Sequence, residues 1–584
     1  MIEFIATNMA PIMFASLVLF LVLGYPVAFS LAANGLIFFA IGVWLTPFSG
    51  GEIALDWPLL FNMPQRLWAV ISNDTLLAIP FFTFMGILLE RSGMAEDLLD
   101  TIGQLFGPVR GGLAFAVILV GALLAATTGV VAASVIAMGL ISLPIMLRYG
   151  YDRKVAAGAI AASGTLAQII PPSLVLIILA DQLGVSVGDM YKGALLPGLM
   201  LTGMYIGYIA MLAIFQPHKV PALPPSARTL GGGVTSLFIA LAVATAIGYG
   251  AHHWYYEQWG ANADILGACV GTLVIYIYAV LDGLLKLNLL SRLARQVIIV
   301  LIPPLALIFL VLGTIFIGLA TPTEGGAMGA LGALILALLK GRLTFGITQS
   351  ALVATTRLAS FVMFILIGSR VFALTFYGVN GHVWVEHLLI GVPGGQTGFL
   401  LVVNLIIFVL GFFIDFFEIA FILIPLIAMP AQTLGIDLVW LGVIVGMNMQ
   451  TSFLTPPFGF ALFYLRSVAA RVPYLDRITG RNIEGIKTSE IYAGAIPFIF
   501  VQVIMIAVVV FWPYTVNHYK TPKIDGSTVT IIVPALTILG GGTAPSFGAP
   551  VLGAPSLGVP NFGTPDPEAT PGALQPLGAP VITP

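Results

Sequence analysis

Apolar residues recur in blocks of roughly 18 to 20 residues or more, the length a helix needs to cross a hydrocarbon core, with polar residues confined to short punctuation between them. The blocks run on without strict alternation, which predicts spanning helices and not the alternating strands of a barrel. Two places break the pattern in the same way. "SGTLAQIIPPS" (residues 163–173) and "QTSFLTPPFG" (residues 450–459) each set a proline pair, hydroxyls and a glycine where a helix should continue. A shift of 285 positions brings Gly150, Asp152, Pro171 and Pro172 onto Gly435, Asp437, Pro456 and Pro457.

Each interruption follows an apolar segment too long for one span. Residues 112–147 are broken at "TTG" (127–129) and residues 399–434 at "GFFIDFFE" (411–418), so each reads as a re-entrant hairpin. Broken helices are expected over 155–183 and 438–465. "GYPVAFSLAANG" from Gly24 echoes "LATPTEGGAMG" from Leu319, which extends the two repeats to 9–215 and 297–514. Between them, residues 216–296 hold an inserted pair of spans, 234–251 and 265–285, joined by the aromatic "HHWYYEQWG", which suits an interfacial belt. His252, His253, His382 and His387 are expected on outer loops. Residues 524–584 are Gly/Pro-rich with a loose GAP-like repetition and are expected to be disordered.

Short cytoplasmic loops collect Lys and Arg. Arg148, Arg153 and Lys154 follow the first hairpin, whereas the equivalent "QTLGIDL" after the second has no basic residue, so the halves are expected to be inverted. Threading from there places both termini outside and gives five spans plus a hairpin per half.

Of 584 residues, 59% are hydrophobic and 8% charged, against about 25% charged in soluble domains. The chain is thus expected to be an all-α polytopic protein in a lipid bilayer. A net charge of −2 gives no reason for a nucleic-acid partner, and one cysteine, Cys269, excludes an internal disulfide and is read as a packing residue. The N-terminus lacks a basic n-region and a cleavage site, so the first apolar run is expected to be retained. No P-loop, HExxH or GxSxG motif occurs.

Irregular backbone at membrane depth persists only where protein or a water-lined cavity satisfies it. The proline pairs remove amide hydrogens and free carbonyls near Gln168 and Phe453. Those carbonyls, beside Ser163, Thr165, Thr451, Ser452 and Thr455, make all-oxygen nests suited to Na⁺, and the half-helix starts at Ser173 and Gly459 suit an anion. The bland alternative is a pair of kinks in packed helices. Buried charge costs at least ~2.5 kcal/mol at the bilayer centre, so Asp415 and Glu418 at the second tip demand a role. One reading makes Asp415 a cation ligand or gate with Glu418 behind it; the other has both carboxylates closing unpaired amides. Arg370 either receives a substrate carboxylate through a bidentate fork, pairs with Asp415 or Glu418, or faces a partner subunit. Asn448 and Gln450 either donate to substrate or close the cavity wall, and Ser452 joins the candidate substrate contacts. Two rival classes stay open: an intramembrane enzyme using Asp415 and Glu418 as acid and base, and a non-transporting scaffold.

"GALLAATTGVVAASVIAMGLISLPIMLRYGYD", "AASGTLAQIIPPSLVLIILADQLG", "GLATPTEGGAMGA" and "GFFIDFFEIAFILIPLIAMPAQTLGIDLVWLGVIVGMNMQTSFLTPPFGFALFYLR" resemble the large membrane subunit of tripartite ATP-independent periplasmic (TRAP) transporters. The resemblance implies Na⁺-coupled uptake of an organic acid by an elevator-type mechanism in a bacterial inner membrane. It also implies two partners, a small four-span membrane subunit and a periplasmic substrate-binding protein. By position, one sodium site would use Thr128, Gly129 and Ser134 with Ser163, Gly164, Thr165 and Pro171. The other would use Gly411 and Asp415 with Thr451, Thr455 and Pro456. Where many members show a "GSSAAT"-like tip, this chain has "GVVAAS", so Val130 and Val131 leave only backbone carbonyls there.

Overall fold

A computed structural model describes residues 2–259, 263–476 and 478–520, with the backbone alone described for 126–128, 257–259 and 264. The segment 524–584, and with it the expected disorder, lies outside the described residues. The described regular structure is helical apart from one antiparallel ribbon, Tyr474–Leu475 against Asn482–Ile483. Among the described residues ten helices are long and apolar enough to cross a membrane, and up to twelve spans result if each bent pair is one span.

The first half runs through Met9–Val22, Val27–Leu45, Met63–Ile71, Asp74–Arg91 and the amphipathic Met94–Leu105 to hairpin arms Gly112–Thr128 and Val131–Arg148. Arg153–Thr165, a 3-10 turn at Leu166–Gln168, Leu174–Leu183 and the long Val187–Phe215 follow. The second half runs through Arg292–Phe316, Pro322–Leu339, Phe345–Gly378 and Gly381–Ile390 to arms Gly395–Leu410 and Phe416–Thr433, then Leu438–Leu454, Phe460–Val468 and Thr488–Phe511. Helix ends recur at the register of the proline pairs. Val131–Arg148 and Phe416–Thr433 begin and finish 285 positions apart, as do the starts at Arg153 and Leu438 and the ends at Leu183 and Val468.

The shared register has a local cause. Asp152 caps the helix after the first hairpin, its Oδ1 accepting from the Lys154 and Val155 amides at 2.9 and 3.1 Å. Asp437 does the same after the second, accepting from the Trp440 amide at 3.0 Å. Each cap satisfies first-turn donors that a helix cannot pair itself.

These matched caps sit at opposite ends of one helix. Thr488–Phe511 has 24 residues and so rises about 36 Å. At its start Arg153, next to Asp152, pairs with Glu490 at 3.1 Å and with Glu484. At its far end the Trp440 indole donates to the Val509 carbonyl at 2.8 Å, and Asp437 pairs with Lys520 just beyond. The same helix packs backbone to backbone on Arg153–Thr165: a Cβ on Gly158 would come within 2.1 Å of the Gly494 carbonyl, and one on Gly494 within 2.1 Å of the Lys154 carbonyl. Phe498 completes the seam edge-on to Tyr205 and Tyr208, with centroids 5.3 and 5.1 Å away.

A strap over residues 469–486 joins the second broken span to this last helix. Arg466 closes its base, donating to the carbonyls of Ala469 and Ile486, and the Ile486 amide reaches the Ala470 carbonyl at 2.9 Å. Arg148, at the end of the first hairpin, grips Asp476 of the strap with three contacts of 2.9–3.1 Å. The Thr479 hydroxyl and the Arg148 guanidinium hold the Asp476 carboxyl down at about 2.

The inserted pair forms helices Val234–Trp259 and Ala263–Leu285, tied to Arg292–Phe316 by an Asp282–Arg295 ion pair of 3.4 Å. Four histidines expected on loops lie instead within helices: His252 and His253 in Val234–Trp259, His382 and His387 in Gly381–Ile390. The aromatic run extends the helix past the end of its apolar stretch. Cys269, read from sequence as a packing residue, is exposed.

Candidate ion and substrate site

Both interruptions are breaks in the helix. In the first, Arg153–Thr165 tightens into the 3-10 turn Leu166–Gln168 and ends before Pro171, and a new helix starts with Ser173 as its N-cap. The Ser173 hydroxyl donates to the Gln168 carbonyl at 3.0 Å, so one freed carbonyl is satisfied locally. Ser163 and Thr165 donate their hydroxyl hydrogens back to the Ile160 and Ala162 carbonyls at 3.0 and 2.8 Å. A hydroxyl that spends its hydrogen this way still presents oxygen lone pairs to a cation.

The first hairpin tip seats on this break. Gly129 turns the chain with φ +60°, and a Cβ there would meet the Leu174 amide nitrogen at 3.0 Å and its side chain at 2.9 Å. Farther along the arms, a Cβ on Gly164 would come within 2.3 Å of Val135, and one on Gly121 within 2.5 Å of Ser163. Ser134 is fully buried on the second arm. The Thr128 side chain lies outside the described residues.

The second break repeats the arrangement. Leu438–Leu454 ends at Thr455, Pro456 and Pro457 follow, and Phe460–Val468 starts from Gly459. Thr451 and Thr455 donate to the Met447 and Thr451 carbonyls at 3.4 and 2.6 Å, and Ser452 to that of Met449 at 3.1 Å. A Cβ on Gly411 at the second tip would lie 2.5 Å from the Ser452 hydroxyl, so only glycine lets the tip approach this closely.

Asp415 and Glu418 form a capping box at the start of Phe416–Thr433. Asp415 Oδ1 accepts from the Phe416 amide at 2.7 Å, and Glu418 Oε2 accepts from the Asp415 amide at 2.9 Å. Both carboxylates therefore close amides at the tip, as one of the two sequence readings has it. The box engages one oxygen of Glu418 and Oδ1 of Asp415.

The two breaks meet. The turn Leu166–Gln168 packs on Leu438–Leu454, and Ile169 and Leu176 lie 3.6 and 3.7 Å from where a Cβ on Gly446 would stand. Gln450 is one turn beyond Gly446 on the same face; it is fully buried, and neither its amide oxygen nor its nitrogen has a partner among the described residues. Gln168 Oε1, also buried, is likewise unpartnered. Unpaired buried amides are expensive, so both glutamines ask for a partner near the contact between the breaks.

The remaining candidates lie elsewhere. Asn448 donates to the Asn404 carbonyl at 2.7 Å and so braces the second hairpin's first arm. Arg370 is exposed on Phe345–Gly378 and pairs with neither Asp415 nor Glu418. Its neighbour Ser369 donates to the Phe421 carbonyl at 2.7 Å, linking that helix to the second hairpin. Sequence reasoning missed Gln502, whose amide reaches Thr165 Oγ1 at 3.4 Å while its own oxygen stays unpartnered. A lone glutamine inside the apolar run "FVQVIM" was the available signal. Among the described residues no group of three or more His, Cys, Asp or Glu gathers as metal ligands.

A family model described as "Tripartite ATP-independent periplasmic transporter, DctM component" matches residues 14–515. The C4-dicarboxylate TRAP transporter large permease protein DctM of Pseudomonas aeruginosa is 28% identical over 457 residues, covering 77% of this chain and 87% of its own. Its namesake from Vibrio cholerae is 25% identical over 87% of this chain and 97% of its own. The ectoine TRAP transporter large permease protein TeaC of Halomonas elongata is 25% identical over 86% and 97%. A solved structure, the YdaH transporter of Alcanivorax borkumensis, aligns with a TM-score of 0.48 at 14% identity, covering 83% of this chain and 98% of that one. These relatives are named as transporters, which removes the intramembrane-enzyme reading. The chain belongs to the tripartite ATP-independent periplasmic transporter family, as a multi-pass large permease component of the DctM type.

Proposed function

We propose that this chain carries an organic acid across a bacterial inner membrane, coupled to Na⁺, after a periplasmic binding protein delivers it and with a small four-span subunit as partner. One observation carries the reading: each hairpin tip seats by a close glycine contact on a helix break, and the two breaks touch. Na⁺ is a co-substrate here. Gly129, Ser134, Ser163, Gly164, Thr165 and Pro171 would form one site, with Thr128 at its edge; Gly411, Asp415, Thr451, Thr455 and Pro456 would form the other. The donor set is neutral hydroxyls and backbone carbonyls plus one carboxylate, a hard oxygen environment that suits an alkali cation. At the first tip, Val130 and Val131 leave the coordination to carbonyls and to the buried hydroxyls behind them.

Substrate would lie between the breaks, meeting Gln450 and Ser452, with Asn448 and Glu418 supporting the wall. Arg370 has no acid partner among the described residues and would receive a carboxylate from the adjoining face. C4-dicarboxylates, named for two of the relatives, fit an anion held by half-helix starts at Ser173 and Gly459. The placement of Asp152 and Asp437 at opposite ends of Thr488–Phe511 supports halves of inverted topology, with hairpins opening from opposite faces and both termini periplasmic. In elevator-type movement, hairpins and broken helices, with Thr488–Phe511 packed backbone to backbone on the first of them, would slide as one body against the other spans. The test is uptake by the complex in liposomes. A Na⁺ gradient with a cognate binding protein should drive accumulation of a dicarboxylate, and accumulation indifferent to Na⁺ would remove the ion from the scheme.

A further inference from the structure

At one end of the molecule, basic side chains are neutralised. Asp97 accepts from Lys340 Nζ at 2.8 Å and from Arg342 Nη2 at 3.1 Å, and Arg342 Nη1 reaches the Ser92 carbonyl at 3.1 Å. Two arginines nearby are not. Arg91 ends Asp74–Arg91, and Arg357 lies inside Phe345–Gly378. Both are exposed, and neither makes a hydrogen bond or an ion pair among the described residues; Glu90, beside Arg91 in the chain, feels its charge without forming an ion pair. Yet both line a single cavity of about 340 Å³ with Gly346, Gln349, Val353 and Ala354.

Between the two arginines the cavity surface is mostly apolar. Gly346 belongs to the first turn of Phe345–Gly378, and a Cβ there would meet nothing within 4 Å, so the groove is open at that level. Arg357 stands eleven residues up the helix on the same face, and a helical side chain leans toward the N-terminus, so its stem lies over the turn that holds Val353 and Ala354. Val353, 53% exposed, and Ala354 lie between the two levels. An unpaired guanidinium one-third of the way into a membrane helix is costly unless an anion meets it. The volume holds about ten waters at ~30 Å³ each, enough for a phosphate and its glycerol.

We infer that this cavity between Asp74–Arg91 and Phe345–Gly378 binds the headgroup of an anionic phospholipid. The two arginines clasp the phosphate, Gln349 adds a donor, and the first acyl carbons run along Val353 and Ala354. A free phosphate shares the polar chemistry but has no use for the apolar wall, and the cavity opens on the flank of Phe345–Gly378, a helix long and apolar enough to cross a membrane. The site is independent of the helix breaks and of the coupling ion.

The probe is dioleoyl phosphatidylglycerol, and the readout is lipid retained by the full-length detergent-solubilised chain in native mass spectrometry. The wild type should keep a bound phosphatidylglycerol through delipidation. The Arg91→Gln/Arg357→Gln pair should lower occupancy at least about tenfold, because two charge-assisted contacts are lost. Arg91→Lys/Arg357→Lys should keep most of it, and Arg110→Gln, an exposed charge outside the cavity, should change nothing. Equal retention by the Gln pair would overturn the site, as would displacement of the lipid by millimolar inorganic phosphate, which would assign the cavity to free anions. Should the Gln pair fail to fold, a photoactivatable phosphatidylglycerol decides on the wild type. Labelling at Arg91 or within residues 346–357 supports the site and labelling confined to other segments refutes it.

Discussion

Asp415 performs two jobs that substitution can separate. Its side chain caps Phe416–Thr433, and its charge is proposed to hold Na⁺. Asparagine caps a helix about as well as aspartate but removes the charge. Asp415→Asn should therefore leave thermal stability nearly unchanged while raising the Na⁺ concentration for half-maximal uptake about tenfold. Asp415→Ala should do both, losing the cap at a cost of ~0.5–2 kcal/mol along with the ion. A Na⁺ titration of uptake beside a melting curve reads the two effects apart, and an unshifted titration in the Asn variant removes Asp415 from the ion site. Gln450 offers a complementary case. Its amide is fully buried with no partner among the described residues, so an unsatisfied amide there costs ~1–3 kcal/mol. Gln450→Leu should raise the melting temperature and abolish uptake together. If uptake survives, the amide serves neither substrate nor ion.

Helices here are joined by close backbone contact and by fastened loops, and each makes a prediction. Gly158→Ala forces Arg153–Thr165 away from Thr488–Phe511, since the added methyl would lie 2.1 Å from the Gly494 carbonyl; overpacking of this kind costs about 1–3 kcal/mol and should show as a lowered melting temperature. The strap depends on Arg148 and Asp476. The Asp476 carboxyl is depressed in the folded protein, to about 2, so its contribution is complete above the unfolded value near 3.9 and fades only as pH falls from there toward 2. Protease sensitivity of residues 469–486 should accordingly be flat from pH 5 to pH 8 in the wild type and raised several-fold at every pH in Asp476→Asn. Much of this arrangement was legible in advance. The proline pairs, the capping aspartates and the over-long apolar segments each announce a local physical event, and the helix ends fall where those signals stand. The strap, the contact between breaks and Gln502 were not legible, because they depend on which distant faces meet, and an apolar run packs equally well in many registers. The histidines misled for a related reason: polar aromatic residues suit both a loop and the wet end of a long helix.

Movement of one body of helices against another requires contacts that can be broken, and beside the apolar packing side-chain hydrogen bonds cross the proposed boundary. Asn73, at the start of Asp74–Arg91, donates to Asp181 Oδ1 at 2.7 Å near the end of the first broken span, and Ser369 bonds the Phe421 carbonyl of the second hairpin. These join spans proposed to stay fixed to elements proposed to slide. A hydrogen bond of this kind contributes about 0.5–1.5 kcal/mol net, small enough to be exchanged in each cycle, whereas the Gly158–Gly494 seam lies inside the sliding body and should persist. A covalent link tests the distinction. With Cys269, the chain's single cysteine, replaced by Ser, cysteines at positions 73 and 181 joined by a short bifunctional thiol reagent should stop uptake. Na⁺ should still protect the linked protein from thermal unfolding, because both ion sites lie within the sliding body and remain assembled. Cysteines at positions 153 and 490, in place of the Arg153–Glu490 ion pair across the same two helices, joined in the same way should leave uptake intact. Full uptake with the 73–181 link in place would mean that these elements travel together, and the boundary between fixed and moving helices would have to be drawn elsewhere.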